Sequence, residues 1–445
     1  MCNGTIMDKL ISFSIPLMLS GILQLMFNAV DIVVVGRFSG SQALAAVGST
    51  TALINVFTNL FIGISLGANV LAARYYATGK TKEMSETVHT AIALALVSGV
   101  AMAVIGVVFA RGALEIMGTP DDVIAKSTLY MRIYFCGMPF FMMYNYGAAI
   151  LRAVGDTKRP LIFLIVSGVI NAVLNLFLVI GFHLDVAGVG IATVISQLVS
   201  CILVLRCLHH TESSYQLHLA KLRIRSVYLK QIFEVGVPAG IQSTVINISN
   251  AMLQSSVNSF GSIAMAGYTA SNNIFGFLYV SVNSFTQACM SFTSQNYGVK
   301  KLKRMDRVLI DCMILSIVVT LILGSSVYIF GPELLHIYSN QADVIKYGME
   351  IFSYTTVTYF LCGLMDLFPG ALRGMGYSTV PMILSIIGTV GVRIIWIYGL
   401  FPSHRSLTFL FLSYPVSWIA TIIMQVICFW FVRKKSHRTM AVTAE

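Results

Sequence analysis

Long apolar runs, separated by short polar stretches, recur along the whole chain. Each run is about 20 residues or longer, which as a helix is enough to cross roughly 30 Å of hydrocarbon. The runs lack the strict alternation of membrane β-strands, and a helix satisfies its own backbone groups in lipid, so we predict helices. The twelve predicted spans are 10–35, 43–73, 86–110, 127–151, 160–182, 186–207, 230–259, 264–294, 307–330, 345–372, 381–401 and 407–432.

The composition supports an all-α integral membrane protein. Of the 445 residues, 57% are hydrophobic and 11% are charged, whereas a soluble domain has about 25% charged residues. The net charge of +11 lies in short loops between spans, so no nucleic acid is expected as a partner. The expected partners are the lipid bilayer and small-molecule substrates, and we predict a monomer.

Lys and Arg are concentrated on one side of the predicted spans. They cluster at 74–82, 158–159, 221–230, 300–307 and 433–438, while the opposite loops carry few. Cytoplasmic loops of membrane proteins are enriched in Lys and Arg. We therefore expect a multi-pass protein of the plasma membrane with both termini in the cytoplasm.

The second half of the sequence repeats the first with a displacement of 221 residues. We interpret this as two parallel six-helix lobes, 1–207 and 230–445, the second ending in a short basic tail, joined by a cytoplasmic linker at 208–229. Parallel repeats are a common plan of transporters, which rock one repeat against the other around a central site. Matching residues include Tyr76, Lys80, Lys82 and Met84 with Tyr297, Lys301, Lys303 and Met305, and Leu151, Arg152, Gly155 and Pro160 with Leu372, Arg373, Gly376 and Pro381.

Asp31 stands in the first apolar run, within FNAVDIVVVGRF. An ionised carboxylate in lipid is expensive and usually functional. Burial favours the protonated form of a carboxylate, which would let Asp31 take up and release a proton. Asn171 and Asn175 share one face of the fifth helix at i, i+4 spacing, consistent with a common site. A structural acid that bonds a neighbouring helix, and asparagines that join helices, remain alternatives.

Two further intramembrane charges are Asp366 in the tenth predicted helix and Arg393 in the eleventh. Buried charges pair where they can, so we predict that these two side chains approach each other. Such a pair would either be a fixed structural contact between the two helices, or it would act as a gate or as a contact for the cargo.

Polar side chains along the first and seventh helices are candidates for the lining of a substrate cavity. Of these, Gln242, Asn250 and Gln254 share a broad face of the seventh helix. The candidates are Gln24, Asn28, Gln242, Asn247, Asn250 and Gln254.

Several segments resemble the multidrug and toxic compound extrusion (MATE) family. They are P-x-x-x-S-G-x-x-Q at 16–24, V-D-I-V-V-V-G-R-F at 30–38, and L-R-A-V-G-D-T-K-R-P at 151–160 with its echo at 372–381. The resemblance implies twelve helices in two lobes that form a V around a central cavity. It also implies export of amphipathic, often cationic compounds in exchange for H⁺ or Na⁺.

The resemblance further implies roles for individual residues. Asp31 matches the family's coupling-ion aspartate, and Asn171 and Thr193 match residues of the same site. Asn175 falls where many relatives carry a second aspartate, so this site has one charge fewer. Na⁺ would use the oxygens of these four residues, whereas H⁺ needs only the carboxylate, and the sequence leaves the choice open. No other cofactor is expected.

Three other functions compete with antiport. A flippase for lipid-linked or polysaccharide intermediates would hold pyrophosphate with several Arg or Lys, but Arg393 is the one deep candidate that the sequence offers. A membrane-embedded enzyme would need clustered His or acidic residues at one interface, and none is evident in the sequence, so we predict no enzyme. A channel would need a repeated filter segment, which the sequence does not display.

Overall fold

The computed structural model describes residues 1–442, apart from the side chains at 41, 52, 437 and 439–442, and within that range it contains helices and no β-strand. Every predicted span falls on one of twelve helical rods. The rods are α1 (Ile6–Phe38), α2 (Ser41–Ala77), α3 (Thr81–Ile116), α4 (121–153), α5 (Lys158–Gly181), α6 (Asp185–His209), α7 (Ser226–Asn258), α8 (Ser262–Gly298), α9 (Leu302–Ile329), α10 (342–374), α11 (Thr379–Ser403) and α12 (407–442).

Two rods are interrupted at corresponding places. The segments of α4, Asp121–Cys136 and Met138–Ala153, meet at Gly137. The segments of α10, Ala342–Thr355 and Tyr359–Gly374, are bent by 53°. The apolar runs predicted both rods as continuous, because hydropathy does not report a local break in hydrogen bonding.

The duplication is visible in the helix boundaries. The rods α2, α3 and α5 begin 221 residues before α8, α9 and α11. Gly40 and Gly155 have φ of 87° and 99°, and their counterparts Gly261 and Gly376 have φ of 99° and 97°. These left-handed conformations favour glycine, so the same turns join the same helices in both halves.

Most rods have the length and the surface of membrane spans. Eight rods of the described chain, α1, α2, α3, α5, α6, α9, α11 and α12, are long and apolar enough to cross a membrane, and the bent α10 is a ninth. Large apolar side chains such as Val108, Ile322 and Phe431 are each about three-fifths exposed. Apolar side chains on the outer surface are what a lipid environment requires.

The chain groups into two compact units whose boundaries lie inside α1 and α7. The N-terminal unit comprises residues 19–240, and the C-terminal unit comprises residues 1–18 with 241–445. The first turns of α1 thus belong with α8 to α12, and the first turns of α7 belong with α2 to α6. The predicted lobes, 1–207 and 230–445, place the first turns of α1 in the N-terminal lobe and most of the first turns of α7 in the C-terminal lobe. These lobe boundaries stay a prediction.

Four glycines bring α7 against α2 within the N-terminal unit. Gly63 and Gly67 on α2 face Gly236 and Gly240 on α7. A Cβ added to Gly63 would lie 2.3 Å from the Cα of Gly240, and one added to Gly67 would lie 2.1 Å from the carbonyl oxygen of Ile232. Small residues four apart allow such close backbone approach between membrane helices.

The first turns of α1 pack into the C-terminal unit through larger side chains. Phe13 and Phe292 of α8 form an edge-to-face pair with ring centroids 5.5 Å apart. Leu10 and Leu17 are buried in the same cluster. The position of this segment therefore depends on side-chain packing.

The connection between α6 and α7 lies on the first turns of α3. Arg225 pairs with Glu86 at 3.3 Å, and Arg223 pairs with the same carboxylate. The backbone N–H of His218 donates to Nε2 of His89 at 3.1 Å. This connection corresponds to the predicted linker at 208–229, whose ends are the last turn of α6 and the first turn of α7.

Candidate functional site

Four residues predicted to form one site lie together in the N-terminal unit, and we call them the acid cluster. Nδ2 of Asn175 donates to the carboxylate of Asp31, and also to Oδ1 of Asn171 at 3.2 Å. Nδ2 of Asn171 in turn donates to Oγ1 of Thr193 at 3.5 Å. The Thr193 hydroxyl donates to the carbonyl of Val189 at 2.9 Å. A chain of hydrogen bonds therefore runs from α1 through α5 to α6.

The acid cluster is largely sealed but leaves one acceptor free. Asn175 is fully buried and Asn171 is nearly so, while Asp31 and Thr193 are partly exposed. Oδ1 of Asn175 has no hydrogen-bond partner within residues 1–442. A buried amide oxygen without a partner is uncommon, so this atom is available for a ligand or for a proton on a neighbour.

Gly168 allows α1 to approach α5 at this cluster. It lies one turn before Asn171 on the same face of α5. A Cβ at Gly168 would lie 1.9 Å from the ring of Phe27, which is one turn before Asp31 on α1. The absence of a side chain at 168 thus places the ring, and with it the carboxylate, against α5. Gly168 was not among the predicted site residues, although its spacing from Asn171 was a usable signal.

A π-helical segment follows the cluster on α5. It spans Phe177–Gly181, directly after the α-helical part Lys158–Leu176 that carries both asparagines. Such segments inside α-helices are frequent at functional sites. Tyr130 and Tyr134 of α4 also lie close enough to Asp31 to interact with it electrostatically, and no sequence pattern pointed to either.

A second polar cluster lies in the C-terminal unit around Arg393, which is 3% exposed. We call it the arginine cluster. Its guanidinium is held by side chains of α7 and α12, all of them neutral. Nη1 donates to Oδ1 of Asn250 at 2.8 Å and to Oγ of Ser249 at 3.5 Å, Nε donates to Oγ of Ser417 at 3.3 Å, and Cζ lies 4.7 Å from the ring centroid of Tyr414.

The structure does not bring Asp366 and Arg393 together, which corrects the predicted pair. Asp366 instead hydrogen-bonds Tyr279 and lies near Arg373. Nη2 of Arg373 donates to Oε1 of Gln242 at 2.6 Å. The prediction rested on the rule that buried charges pair where they can, yet Asp366 has Arg373 beside it and Arg393 is held by neutral side chains. π-helical segments at 386–391 and 396–400 flank Arg393.

The six predicted cavity residues divide by environment. Gln24, Asn28 and Asn247 are exposed, and Gln254 is partly buried. The remaining two are engaged in the contacts described above, since Gln242 binds Arg373 and Asn250 binds Arg393. The role of all six as cargo contacts stays a prediction.

One family model, MatE, matches this chain twice, at residues 16–177 and 238–398. Each match covers one copy of the repeat, and together they cover more than half of the chain. The two matches begin at Pro16 in α1 and Pro238 in α7, which are 222 positions apart and thus within one residue of the repeat. The internal duplication found in the sequence is thus also a duplication of the family's unit.

Known proteins resemble the chain over nearly its whole length. "Probable multidrug resistance protein YoeA" of Bacillus subtilis (strain 168) is 28% identical, over 97% of this chain and 95% of that protein. "Multidrug export protein MepA" of Staphylococcus saprophyticus is 23% identical, over 90% and 89%. A solved outward-facing multidrug resistance MATE family transporter superposes with a TM-score of 0.90 at 19% identity, over 98% and 97%. A MATE structure in the bent conformation gives a TM-score of 0.87 at 19% identity, over 99% and 98%.

These findings confirm the predicted fold class, an all-α membrane fold of twelve helices built from a six-helix repeat. They also confirm that the protein is a multi-pass membrane transporter and not an enzyme. The acid cluster and the arginine cluster are therefore to be understood as parts of a transporter. By sequence and by fold, the chain belongs to the MatE family.

Proposed function

We propose that this protein is a secondary antiporter that exports amphipathic, often cationic compounds in exchange for protons, with Asp31 as the coupling residue. Family membership supports transport. Two relatives carry the names multidrug resistance protein and multidrug export protein, which supports drug-like cargo. In this proposal the two lobes rock, so that the acid cluster faces each side of the membrane in turn.

The observation that carries proton coupling is the environment of Asp31. The ionised carboxylate accepts a hydrogen bond from Nδ2 of Asn175. Protonation adds one donor, and Oδ1 of the same amide is a buried acceptor without a partner in the described chain. Rotation of one side chain would therefore let Asn175 serve both forms of Asp31. A carboxyl group that has a hydrogen-bond partner in both its ionised and its protonated form avoids the penalty of an unpaired buried polar atom.

Sodium fits the same cluster less well. A sodium ion needs several oxygens at once, but Oδ1 of Asn171 already accepts from Asn175, and Oγ1 of Thr193 accepts from Asn171. Each of these oxygens keeps one lone pair, but the existing hydrogen bonds restrict the directions from which an ion could approach them. The proton requires one rotation of the Asn175 amide, which also releases the bond from Asn175 to Asn171.

One proton per cycle provides enough energy for export. A unit charge that moves through 100 mV is worth about 2.3 kcal/mol. That free energy corresponds to roughly a 50-fold concentration ratio of a neutral cargo. A single titrating carboxylate is therefore sufficient to drive useful efflux of a neutral cargo, while exchange of one proton for one monovalent cation moves no net charge and is driven by the pH difference and the cation's own gradient.

The test is ethidium transport in everted membrane vesicles that contain the wild type or Asp31→Asn. We expect a pH gradient to drive transport by the wild type, a sodium gradient at constant pH to drive none, and Asp31→Asn to lose the pH-driven activity. Asp8→Asn is the matched control, because Asp8 is an exposed acid on the same helix and should transport normally.

Two results would contradict the proposal. Transport by Asp31→Asn at the wild-type rate under both gradients would remove Asp31 from the coupling step. Transport by the wild type that follows sodium and ignores pH would leave Asp31 in place but exclude the proton.

A further inference from the structure

Arg393 is a buried cation without an anionic partner. It is 3% exposed, and no carboxylate within residues 1–442 forms an ion pair with it. Its contacts are one amide oxygen, two hydroxyl oxygens and one aromatic face. Burying an unpaired charge in a membrane protein is expensive, and such residues usually mark a substrate or ion pathway.

The donors of Arg393 are only partly used. Nε and Nη1 have hydrogen-bond partners, whereas Nη2 has none among the described residues. A guanidinium presents its donors as a planar fork that fits the two oxygens of a carboxylate. Because Asn250 is only partly buried, the cluster reaches the surface of the C-terminal unit on the α7 side.

The surroundings of Arg393 are aromatic. The Tyr414 ring beneath the guanidinium contacts Trp418 at 5.6 Å between ring centroids, and Trp418 contacts Tyr359 at 5.8 Å. The Tyr414 hydroxyl is hydrogen-bonded to that of Tyr268 at 2.9 Å. Tyr268, Tyr359 and Trp418 are buried in the core, whereas Tyr414 is partly exposed. Tyr414 is therefore the ring of this group that an aromatic ligand held by Arg393 could contact.

The helix that carries Arg393 has the local structure of a functional site. Arg393 belongs to the four-residue α-helical stretch Val392–Ile395, between the π-helical segments at 386–391 and 396–400. The acid cluster of the other repeat also adjoins a π-helical segment, Phe177–Gly181. Irregular turns that recur beside both clusters indicate that each is a place where the helix is adapted to a ligand.

We propose that Arg393 is a specificity-determining residue that binds the carboxylate of amphipathic aromatic substrates. This inference rests on the proposed transport function and assigns one residue to the recognition of its substrates. The carboxylate replaces the missing counter-charge, with Arg393 as its fork-shaped partner and the Tyr414 ring as the apolar contact.

Two dyes that differ by one methyl ester test this directly. Rhodamine 110 has a free carboxylate, and rhodamine 123 is its methyl ester. Binding of each dye to the purified protein is measured by fluorescence polarisation, for the wild type and for Arg393→Met. We expect the ratio of affinities, rhodamine 110 over rhodamine 123, to fall about ten-fold or more in the variant, since the lost contact is a charge-assisted bidentate pair.

A second variant covers the case in which Arg393→Met folds poorly. Asn250→Asp keeps the shape of the side chain and puts a carboxylate where Oδ1 now lies, 2.8 Å from Nη1. The new carboxylate would pair with Arg393 in place of the dye's carboxylate. The affinity ratio should therefore fall as it does in Arg393→Met, while the fold is retained. Arg405→Met is the control, because Arg405 is exposed in the loop before α12, and its affinity ratio should equal that of the wild type.

Three results would overturn the proposal. The first is an affinity ratio that is the same in the wild type, Arg393→Met and Asn250→Asp. The second is a wild type that binds neither dye. The third is competition by a lipid: phosphatidylglycerol inhibits the binding of rhodamine 110 to the wild type, and this inhibition is absent in Arg393→Met. Arg393 would then hold a lipid headgroup.

Ethidium efflux, measured on the same preparations, separates this proposal from the one it rests on. Gradient-driven efflux together with an affinity ratio that ignores Arg393 contradicts the carboxylate site alone. An affinity ratio that depends on Arg393, in a protein that shows no gradient-driven efflux, supports the carboxylate site and contradicts the antiport.

Discussion

Asp31 and Arg393 occupy corresponding corners of the two six-helix repeats, yet they carry opposite charges. The first corner is formed by α1, α5 and α6, and the second by α7, α11 and α12. One wall position corresponds in the repeat, since Thr193 and Tyr414 are 221 positions apart, whereas Asp31 lies on α1 and Arg393 on α11, which are not equivalent helices. The difference teaches that the duplicated scaffold provides a polar corner in each repeat, while the position and the sign of the charge in that corner differ.

The halves also differ where a helix from one repeat packs into the unit formed mainly by the other. The α2–α7 crossing is made by glycines, whose backbones touch. The corresponding positions on α8 are Ser284 and Ala288, and the α1 segment there packs through Phe13. The first crossing is therefore fixed by backbone contact and the second by side chains, so substitutions should be tolerated unequally.

The largest effect is expected from Gly67→Val. The new Cβ would lie 2.1 Å from a backbone oxygen of α7, and a backbone cannot move aside as a side chain can. We expect a loss of about 3 kcal/mol or more, the upper range for overpacking, seen as loss of monodisperse protein in fluorescence-detected gel filtration. Ala288→Gly, at the corresponding position on α8, should cost about 1 kcal/mol. Equal melting temperatures for the two variants would refute this contrast between the crossings.

The next effect is expected from Gly168→Thr, which installs the residue found 221 positions later. Thr389 fits in the C-terminal unit, where its hydroxyl lies 3.0 Å from that of Thr421. At position 168 the same side chain would meet the ring of Phe27. We expect a loss of about 2 kcal/mol and slower transport, because α1 is pushed away from α5. A variant with the melting temperature and transport rate of the wild type would show that the ring has room to move.

A smaller effect is expected from Asn175→Leu, which keeps the side chain's approximate size and removes its amide. The carboxylate of Asp31 would lose its hydrogen-bond donor. A hydrogen bond to a charged group is worth about 1.5–3 kcal/mol, so pH-driven ethidium efflux should fall about ten-fold or more. The melting temperature should fall as well, since the same hydrogen bond stabilises the fold. Unfolding of this variant in place of slow transport would assign Asn175 a structural role.

The smallest effect is expected from Thr193→Val. Its hydroxyl accepts a long hydrogen bond of 3.5 Å from Asn171, and such bonds are weak. Efflux should fall less than about three-fold, since a neutral hydrogen bond contributes near 0.5 kcal/mol at the low end of its range. A loss as large as that of Asn175→Leu would show that Thr193 contacts the coupling ion directly, which would favour sodium.

The sequence predicted what depends on period and repetition. Apolar runs located all twelve rods, and the 221-residue displacement supported α7 and α8, whose composition is too polar to pass a hydropathy test. The i, i+4 spacing joined Asn171 to Asn175, and the family resemblance joined both to Asp31. Each of these inferences uses one helix at a time or a pattern that recurs.

What the sequence did not predict depends on how one helix faces another. Asp366 lies beside Tyr279 and Arg373, while Arg393 is held by neutral side chains of α7 and α12, and no hydropathy pattern reveals which neighbours a buried charge has. The fit of Phe27 against Gly168 requires knowledge that α1 and α5 are neighbours. The glycine pairs on α2 and α7 were visible as spacings, but a small-residue spacing does not name its partner helix.

The division of α1 and α7 between the two units has a consequence for biosynthesis. The N-terminal unit includes residues up to 240, so its helix bundle lacks one wall until the ribosome has translated past the linker. The first six helices made alone would expose the glycine face of α2 to lipid. A gene cut at the linker should therefore yield active transporter only when both fragments are made in the same cell, with each fragment completing the other.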